Sequence, residues 1–203
     1  MLNPSRLQHT RQRGTSLVEV LVTLVILAFG LLGVAGLQAK MSLAEMESYQ
    51  RSQALMALAE MTERMSASPA LATSYLNQGT LGNGNTAQPT NCYPAPPAAP
   101  LSVPARDLCE WNISLQGASE RNSGTKVGGT MGAVGCITQL TASNPALGFC
   151  TAGIYRVSVA WQGMNPTQAP ANGLSCGLGS FGPTDASRRV IAATVTVGTT
   201  SCF

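Results

Sequence analysis

The sequence predicts an α+β fold in which one long N-terminal helix packs on a small antiparallel β-sheet. An uncharged apolar run covers residues 20–37, and apolar residues at helical spacing continue beyond it. After residue 105, short segments alternate apolar and polar residues, and glycine-rich loops separate them. A helical segment followed by strand segments is typical of α+β proteins.

The helix is expected to cover residues 15–66 and to have two different halves. Residues 17–38 are predominantly apolar and long enough for a transmembrane helix, which needs about 20 residues. The residue before a proline disfavours helix, so Ser68 and Pro69 should end the element.

The second half of this helix is amphipathic. Apolar residues at helical spacing should pack against the sheet as a core stripe of Leu55, Leu58, Met61 and Met65. Charged residues on the exposed side are spaced for i,i+4 ion pairs, which we expect for Glu47/Arg51 and Glu60/Arg64.

The rest of the chain divides into a connector and a β-rich globular domain. Residues 67–105 are rich in proline, glycine and asparagine, as loops are. Residues 106–203 should hold the sheet, with strand patterns at residues 111–115, 134–140, 154–161 and 190–197. The two clearest patterns place on one face Tyr155, Val157, Val159 and Trp161, and likewise Ile191, Ala193, Val195 and Val197.

Six dispersed cysteines follow the apolar segment: Cys92, Cys109, Cys136, Cys150, Cys176 and Cys202. None forms a C-x-x-C pair of the kind that structural zinc sites use, so an oxidising compartment and disulfides are expected rather than a metal. Six cysteines allow 15 pairings, which the sequence alone does not separate. Sequential pairing (Cys92–Cys109, Cys136–Cys150, Cys176–Cys202) is the working expectation, and the alternative is that one or more thiols stay free.

Charge and composition argue against two classes of function. The formal net charge of +3 equals the contribution of Arg6, Arg11 and Arg13, so residues after Gly14 are balanced and suggest no nucleic-acid surface. The single histidine, His9, lies in the same basic leader, and the carboxylates are scattered. We therefore expect no enzyme, no catalytic residue, no cofactor and no metal site. The glycosylation-type sequence at Asn112 is taken as a chance match.

The junction at residues 11–19 allows three interpretations. A secretory signal has a shorter apolar region and a small-residue cleavage site after it, which this sequence lacks. A simple membrane anchor fits the length, but the carboxylate of Glu19 is disfavoured in hydrocarbon. A cut after Gly14 would free the amine of Thr15, which lies four residues before Glu19 on the same helix face and could neutralise it, within one subunit or between neighbours.

Residues 14–22, GTSLVEVLV, resemble a type IV prepilin signature. The continuation GLLGVAGLQ at residues 30–38 resembles the PilV class of minor pilins, the type IV pilus modification proteins, and a weaker likeness recurs at residues 155–163. The resemblance covers about the first fifty residues. It implies a type IV pilin-like fold, removal of residues 1–14 by a prepilin peptidase, methylation of the new N-terminus at Thr15, and a role for Glu19 in registering incoming subunits. Thr15 departs from the family, where phenylalanine or methionine is more usual.

Gly30, Gly33 and Gly36 recur at a spacing of three residues within the predicted helix. Small residues let neighbouring helices approach closely, and glycines also let a helix loosen, which the resemblance supports because many pilins melt near this point in the filament. Both interpretations concern packing or melting rather than chemistry.

The resemblance implies a minor pilin that helps to initiate pilus assembly and to display a large pilus-tip adhesin. Its partners would be prepilin peptidase, other minor and major pilins, and the inner membrane, which it crosses once with a cytoplasmic N-terminus and a periplasmic globular domain before reaching the cell surface. One alternative is a minor pseudopilin of a type II secretion system. Another, from a different class, is a membrane-anchored envelope binding domain.

Overall fold

A computed structural model describes Gly14 and residues 16–76, 79–117, 121–123, 125–126, 128, 130–144, 146 and 150–198. Helix α1 covers Leu17–Ala67, and a 3₁₀ helix covers Pro69–Tyr75. Strand β1 (Leu81–Gly82) and helix α2 (Val103–Leu115) follow. The remaining strands are β2 (Arg121–Asn122), β3 (Thr125–Lys126), β4 (Val134–Thr141), β5 (Gly153–Gln162) and β6 (Arg188–Val197).

The chain divides into two compact units, of which the first ends at Ala44 and the second begins at Glu45. The described part of the first unit is the N-terminal part of α1, and each of residues 16–44 is exposed. The second unit contains the rest of α1, which packs on the sheet. The predicted α+β architecture is therefore confirmed.

The sheet of the second unit has four antiparallel strands in the order β1-β4-β5-β6. The register between β5 and β6 is unbroken, from Gly153 opposite Val197 to Gln162 opposite Arg188. The register between β4 and β5 shifts between Gln139 and Thr141. Strands β2 and β3 form a separate two-stranded ribbon.

One face of the sheet packs on α1. The side chains of Tyr155, Val157, Val159 and Trp161 join one apolar core with Ala54, Leu58, Met61 and Met65 of the helix. The four face residues of β6 predicted from the alternation also pack in or against this core, namely Ile191, Ala193, Val195 and Val197. Both strand patterns are thus confirmed.

The other face of the sheet is covered by the loop between β5 and β6. Cys176 and Phe181 of that loop pack with Val134 and Ala160 in a second, smaller cluster. Arg188, which is 3% exposed, donates from Nη1 to the carbonyl oxygens of Leu174 and Cys176 at 2.6 and 3.0 Å. These bonds hold the loop against the start of β6.

The strand predicted at residues 111–115 is wrong, because this segment is the last part of α2. Leu108, Trp111 and Leu115 are all buried, a spacing of three and four residues that belongs to a helix. The indole N–H of Trp111 donates to the Ala57 carbonyl of α1 at 2.9 Å. Gly135 leaves room for the Trp111 ring, because a Cβ there would lie 2.4 Å from it.

Two details of the predicted amphipathic half are also wrong. Leu55 is 48% exposed, and Ala54 instead continues the buried stripe. Glu47 does not pair with Arg51 but reaches Nε of Arg189 at 2.8 Å, because β6 brings that guanidinium next to α1. The other expected pair is confirmed, with Arg64 Nη2 2.6 Å from Glu60 Oε1.

Candidate functional site

The N-terminus of α1 is capped by Ser16. The backbone N–H of Glu19 donates to the Ser16 carbonyl at 3.0 Å, and its nitrogen lies 3.3 Å from Ser16 Oγ. Serine followed three residues later by glutamate is the capping-box sequence, a local signal that marks this helix start beside the prepilin-like pattern. The partial positive charge at a helix N-terminus also stabilises a carboxylate in the first turn. Glu19 is therefore placed where the helix itself offsets part of its charge.

The predicted cleavage position lies outside the helix. Gly14 is exposed, precedes the first residue of α1, and has no atom within 4 Å of the position that a Cβ would occupy. Thr15 and the leader lie outside the described residues. Glu19 forms no ion pair with any residue that the structure describes.

The part of α1 that follows this junction presents an apolar surface that no described residue covers. An 18-residue window of α1 has a mean hydropathy of 2.7 and none of it is buried, so the helix is long and apolar enough to cross a membrane. Large apolar side chains point outward on every side, from Leu17 at 83% exposed to Leu37 at 66%. Such a surface requires lipid or other apolar helices around it.

The three glycines of this segment do not pack against any residue that the structure describes. No atom of those residues lies within 4 Å of a Cβ built at Gly30, Gly33 or Gly36, and α1 continues through all three as regular helix. Because glycine costs about 1 kcal/mol relative to alanine in a helix, these positions need a reason outside the described fold. Close approach by another helix and local melting are both compatible with this environment.

A polar network around Arg64 joins three elements of the second unit. Its guanidinium contacts Glu60 of α1, and its Nη1 lies 2.8 Å from Asp107 and 2.6 Å from Glu110, both on α2. Tyr75 of the 3₁₀ helix donates its hydroxyl to the other oxygen of Asp107 at 2.6 Å. The carboxylate of Asp107 is thus buried with two partners.

The network shifts several pKa values. Burial opposes the charge of Arg64, but its hydrogen bonds to Glu110, Asp107 and Glu60 outweigh this and raise its pKa. Burial and the bond to Asp107 raise the pKa of Tyr75. The hydroxyl of Tyr93 donates to Glu110, and this bond, together with Arg64, lowers the pKa of the Glu110 carboxyl although partial burial opposes it. Each group is held in one protonation state at neutral pH, which favours a structural role over acid–base chemistry.

The disulfides only partly follow the expected pairing. Cys92–Cys109 is present, with a Cα–Cα distance of 5.6 Å, and ties the connector to α2. Cys136 pairs with Cys176, so the expected Cys136–Cys150 and Cys176–Cys202 pairings are wrong. The reason is topological, because the loop after β5 folds back over the sheet and brings Cys176 to β4. Cys150 is disulfide-bonded as well, and Cys202 lies outside the described residues.

In the described residues, no group of three or more His, Cys, Asp or Glu side chains is placed to hold a metal ion. Asn112 is 3% exposed, and its Oδ1 accepts a hydrogen bond from the Gly82 N–H at 2.7 Å. This burial supports the interpretation of its glycosylation-type sequence as a chance match.

Residues 9–35 match the model of the prokaryotic N-terminal methylation motif. The match supports a type IV pilin-like protein. It also supports processing by prepilin peptidase and association with pilins, and with the apolar part of α1 it fits single-pass anchoring in the inner membrane. No curated protein and no solved structure matches the chain.

Proposed function

We propose that this protein is a minor pilin of the PilV class. Prepilin peptidase removes the leader after Gly14, Thr15 becomes the methylated N-terminus, and the subunit moves from the inner membrane into the tip of a type IV pilus. There it helps to initiate assembly and to display a pilus-tip adhesin for adhesion and twitching motility. The globular unit lies in the periplasm before assembly.

The observation that carries this proposal is the junction at the start of α1. An accessible glycine precedes a capped helix whose first turn holds one carboxylate and whose next residues are exposed and apolar. In a lone membrane anchor the carboxylate of Glu19 would serve only the helix N-terminus, although hydrocarbon disfavours it. A subunit that must dock against another chain can use it to bind an N-terminal amine, its own or a neighbour's.

Mass spectrometry of the mature N-terminus tests the processing step. Co-expression with a prepilin peptidase should remove residues 1–14 and add one methyl group at Thr15. The variant Gly14→Val should keep its leader, because the side chain at the cut blocks the peptidase. Retention of the leader by the unaltered chain would contradict the proposal.

Substitution of Glu19 tests assembly separately from processing. Glu19→Gln should still be cleaved and inserted in the membrane, yet it should fail to enter surface pili and should lower their number. Thr23→Val is the matched control, since Thr23 lies one turn further along the same exposed helix. Normal pilus numbers with Glu19→Gln would exclude the pairing role, and recovery of the protein with a secretion apparatus instead of pili would assign it to the pseudopilins.

A further inference from the structure

Strand β6 is an open edge of the four-stranded sheet. It has ten residues, and β5 pairs with it along its whole length on one side. No strand in the described part of the chain pairs with its other side. The opposite edge differs, because β1 is only two residues long.

One hydrogen bond just beyond β5 and β6 shows which residues of β6 bond to β5. Gly163 N–H donates to the Ser187 carbonyl at 2.7 Å, so Gly163 and Ser187 form a hydrogen-bonded pair. Every second pair along the two strands, such as Trp161 with Arg189, is then hydrogen-bonded as well. The intervening residues of β6 direct their N–H and C=O groups toward the open side. These are Val190, Ala192, Thr194 and Thr196.

This edge lacks the features that usually prevent strand addition. Proteins protect long edges with charged residues, proline or a bulge. Residues 190–197 contain neither a charged residue nor a proline, and their register with β5 has no bulge. Ala192, Thr194 and Thr196 are exposed. Over residues 190–197 the edge is therefore regular and uncharged.

A groove runs along the same edge between β6 and α1. It is lined by Thr62, Glu63 and Ser66 of the helix and by residues 193–196 of the strand. Glu63 is exposed and forms no ion pair with any residue in the described ranges. A segment that lies in the groove would place one of its side chains beside this carboxylate.

We propose that β6 binds an extended strand from a different protein subunit, and that this strand carries a lysine or arginine opposite Glu63. The outward N–H and C=O groups of four alternate β6 residues match the main chain of an extended strand. Small or β-branched side chains on the bound strand would pack beside the exposed threonines of β6. Pairing with a second copy of this chain is disfavoured, because Arg189, the cation of β6 on the side of α1, is already paired with Glu47, and two Glu63 carboxylates would lie along one seam. The inference does not depend on the pilin assignment.

Peptide binding to the full-length protein in detergent micelles tests the proposal. The probe is a fluorescent nine-residue peptide of alternating threonine and valine with a central lysine, measured by anisotropy. Two further peptides have the same sequence with methylated main-chain nitrogens. One is methylated at the odd-numbered residues and the other at the even-numbered residues. We expect one methylated series to bind like the parent and the other to bind at least about tenfold more weakly, since only one set of amides faces β6. Any other pattern, including no binding of the parent, would overturn the proposal.

Protein variants locate the peptide on β6. Thr194→Pro removes an outward N–H and no β5 hydrogen bond, so it should weaken binding about tenfold, whereas Thr194→Val should bind normally. Glu63→Gln should weaken the lysine peptide about two- to fivefold and leave a glutamine-containing peptide unchanged. Equal binding by Thr194→Pro and Thr194→Val, a lysine preference that survives Glu63→Gln, or self-association through β6 that the peptide does not displace would each contradict the inference.

Discussion

The two halves of α1 have the same secondary structure and opposite surroundings. Residues 16–44 include no buried residue, whereas the part within the second unit buries Gln50, Ala54, Leu58, Met61 and Met65. The buried positions recur every three or four residues, as one face of a helix does. The first half is apolar on all faces, so a partner on one side only would leave much of its surface exposed. One helix therefore has an N-terminal part that suits an apolar environment on every side and a C-terminal part that buries a single face against its own sheet.

Core truncation should have the largest effect, and only in the second half. Met61 is fully buried, and Met61→Ala should lower the free energy of unfolding by about 3 kcal/mol, within the range of about 2–5 kcal/mol for such truncations. Leu24→Ala, at a residue that is 61% exposed, should change it by less than about 0.5 kcal/mol. Urea unfolding in detergent can be followed by the fluorescence of Trp111 and Trp161, both buried in the second unit. Equal effects of the two substitutions would contradict the division of α1.

The sequence was sufficient for those elements whose signal is local. The change from an all-round apolar run to a single stripe predicted both halves of α1, and the alternation from Tyr155 to Trp161 predicted β5 and its buried face. The window at residues 111–115 was too short to separate strand from helix. Ser102 and Pro104, at the start of α2, lay before that window and would have favoured helix.

The parts that could not be predicted depend on contacts between distant segments. Arg64 and Asp107 are 43 residues apart, and the Cys136–Cys176 disulfide closes a separation of 40. Their proximity follows from where α2 and the loop after β5 pack, which no local pattern specifies. At the N-terminal site, Gly14 is exposed just before α1, whereas cleavage, methylation and the partner of Glu19 involve other molecules.

A second contrast is expected between two arginines of α1. Arg64→Gln should destabilise the second unit by about 2 kcal/mol, because the Asp107 side chain, 8% exposed, would lose its cation while Arg64 itself is partly solvated. Arg51→Gln is the matched control, since Arg51 is exposed and has no ion pair within the described residues; its effect should stay below about 0.5 kcal/mol. The same urea titrations measure both, and a similar loss for the two variants would show that the network around Arg64 contributes nothing specific.

Gln50 allows a test in which stability should increase. It is 4% exposed; among the described residues its Oε1 has no hydrogen-bond partner, and its Nε2 lies 3.8 Å from the Met164 sulfur. Gln50→Met keeps the shape and removes the unsatisfied acceptor, so we expect a gain of about 1 kcal/mol. Gln38→Met makes the same change at an exposed position of the first half and should alter nothing. A loss of stability in Gln50→Met would show that Oε1 is hydrogen-bonded in solution.

Acid should weaken the second unit through Glu110, with the smallest effect of the four. Because the bonds from Tyr93 and Arg64 lower the pKa of Glu110 in the folded chain, its contribution to stability is present above its unfolded pKa of about 4.3 and is lost as the pH falls through the lower folded value. Glu110→Gln should therefore flatten the loss of stability below pH of about 4, relative to the unaltered protein. Glu45→Gln, at an exposed carboxylate, should leave that loss unchanged. If both variants lose stability with falling pH as the unaltered protein does, other carboxylates govern acid unfolding. The network around Arg64 then stabilises the fold without making it sensitive to pH.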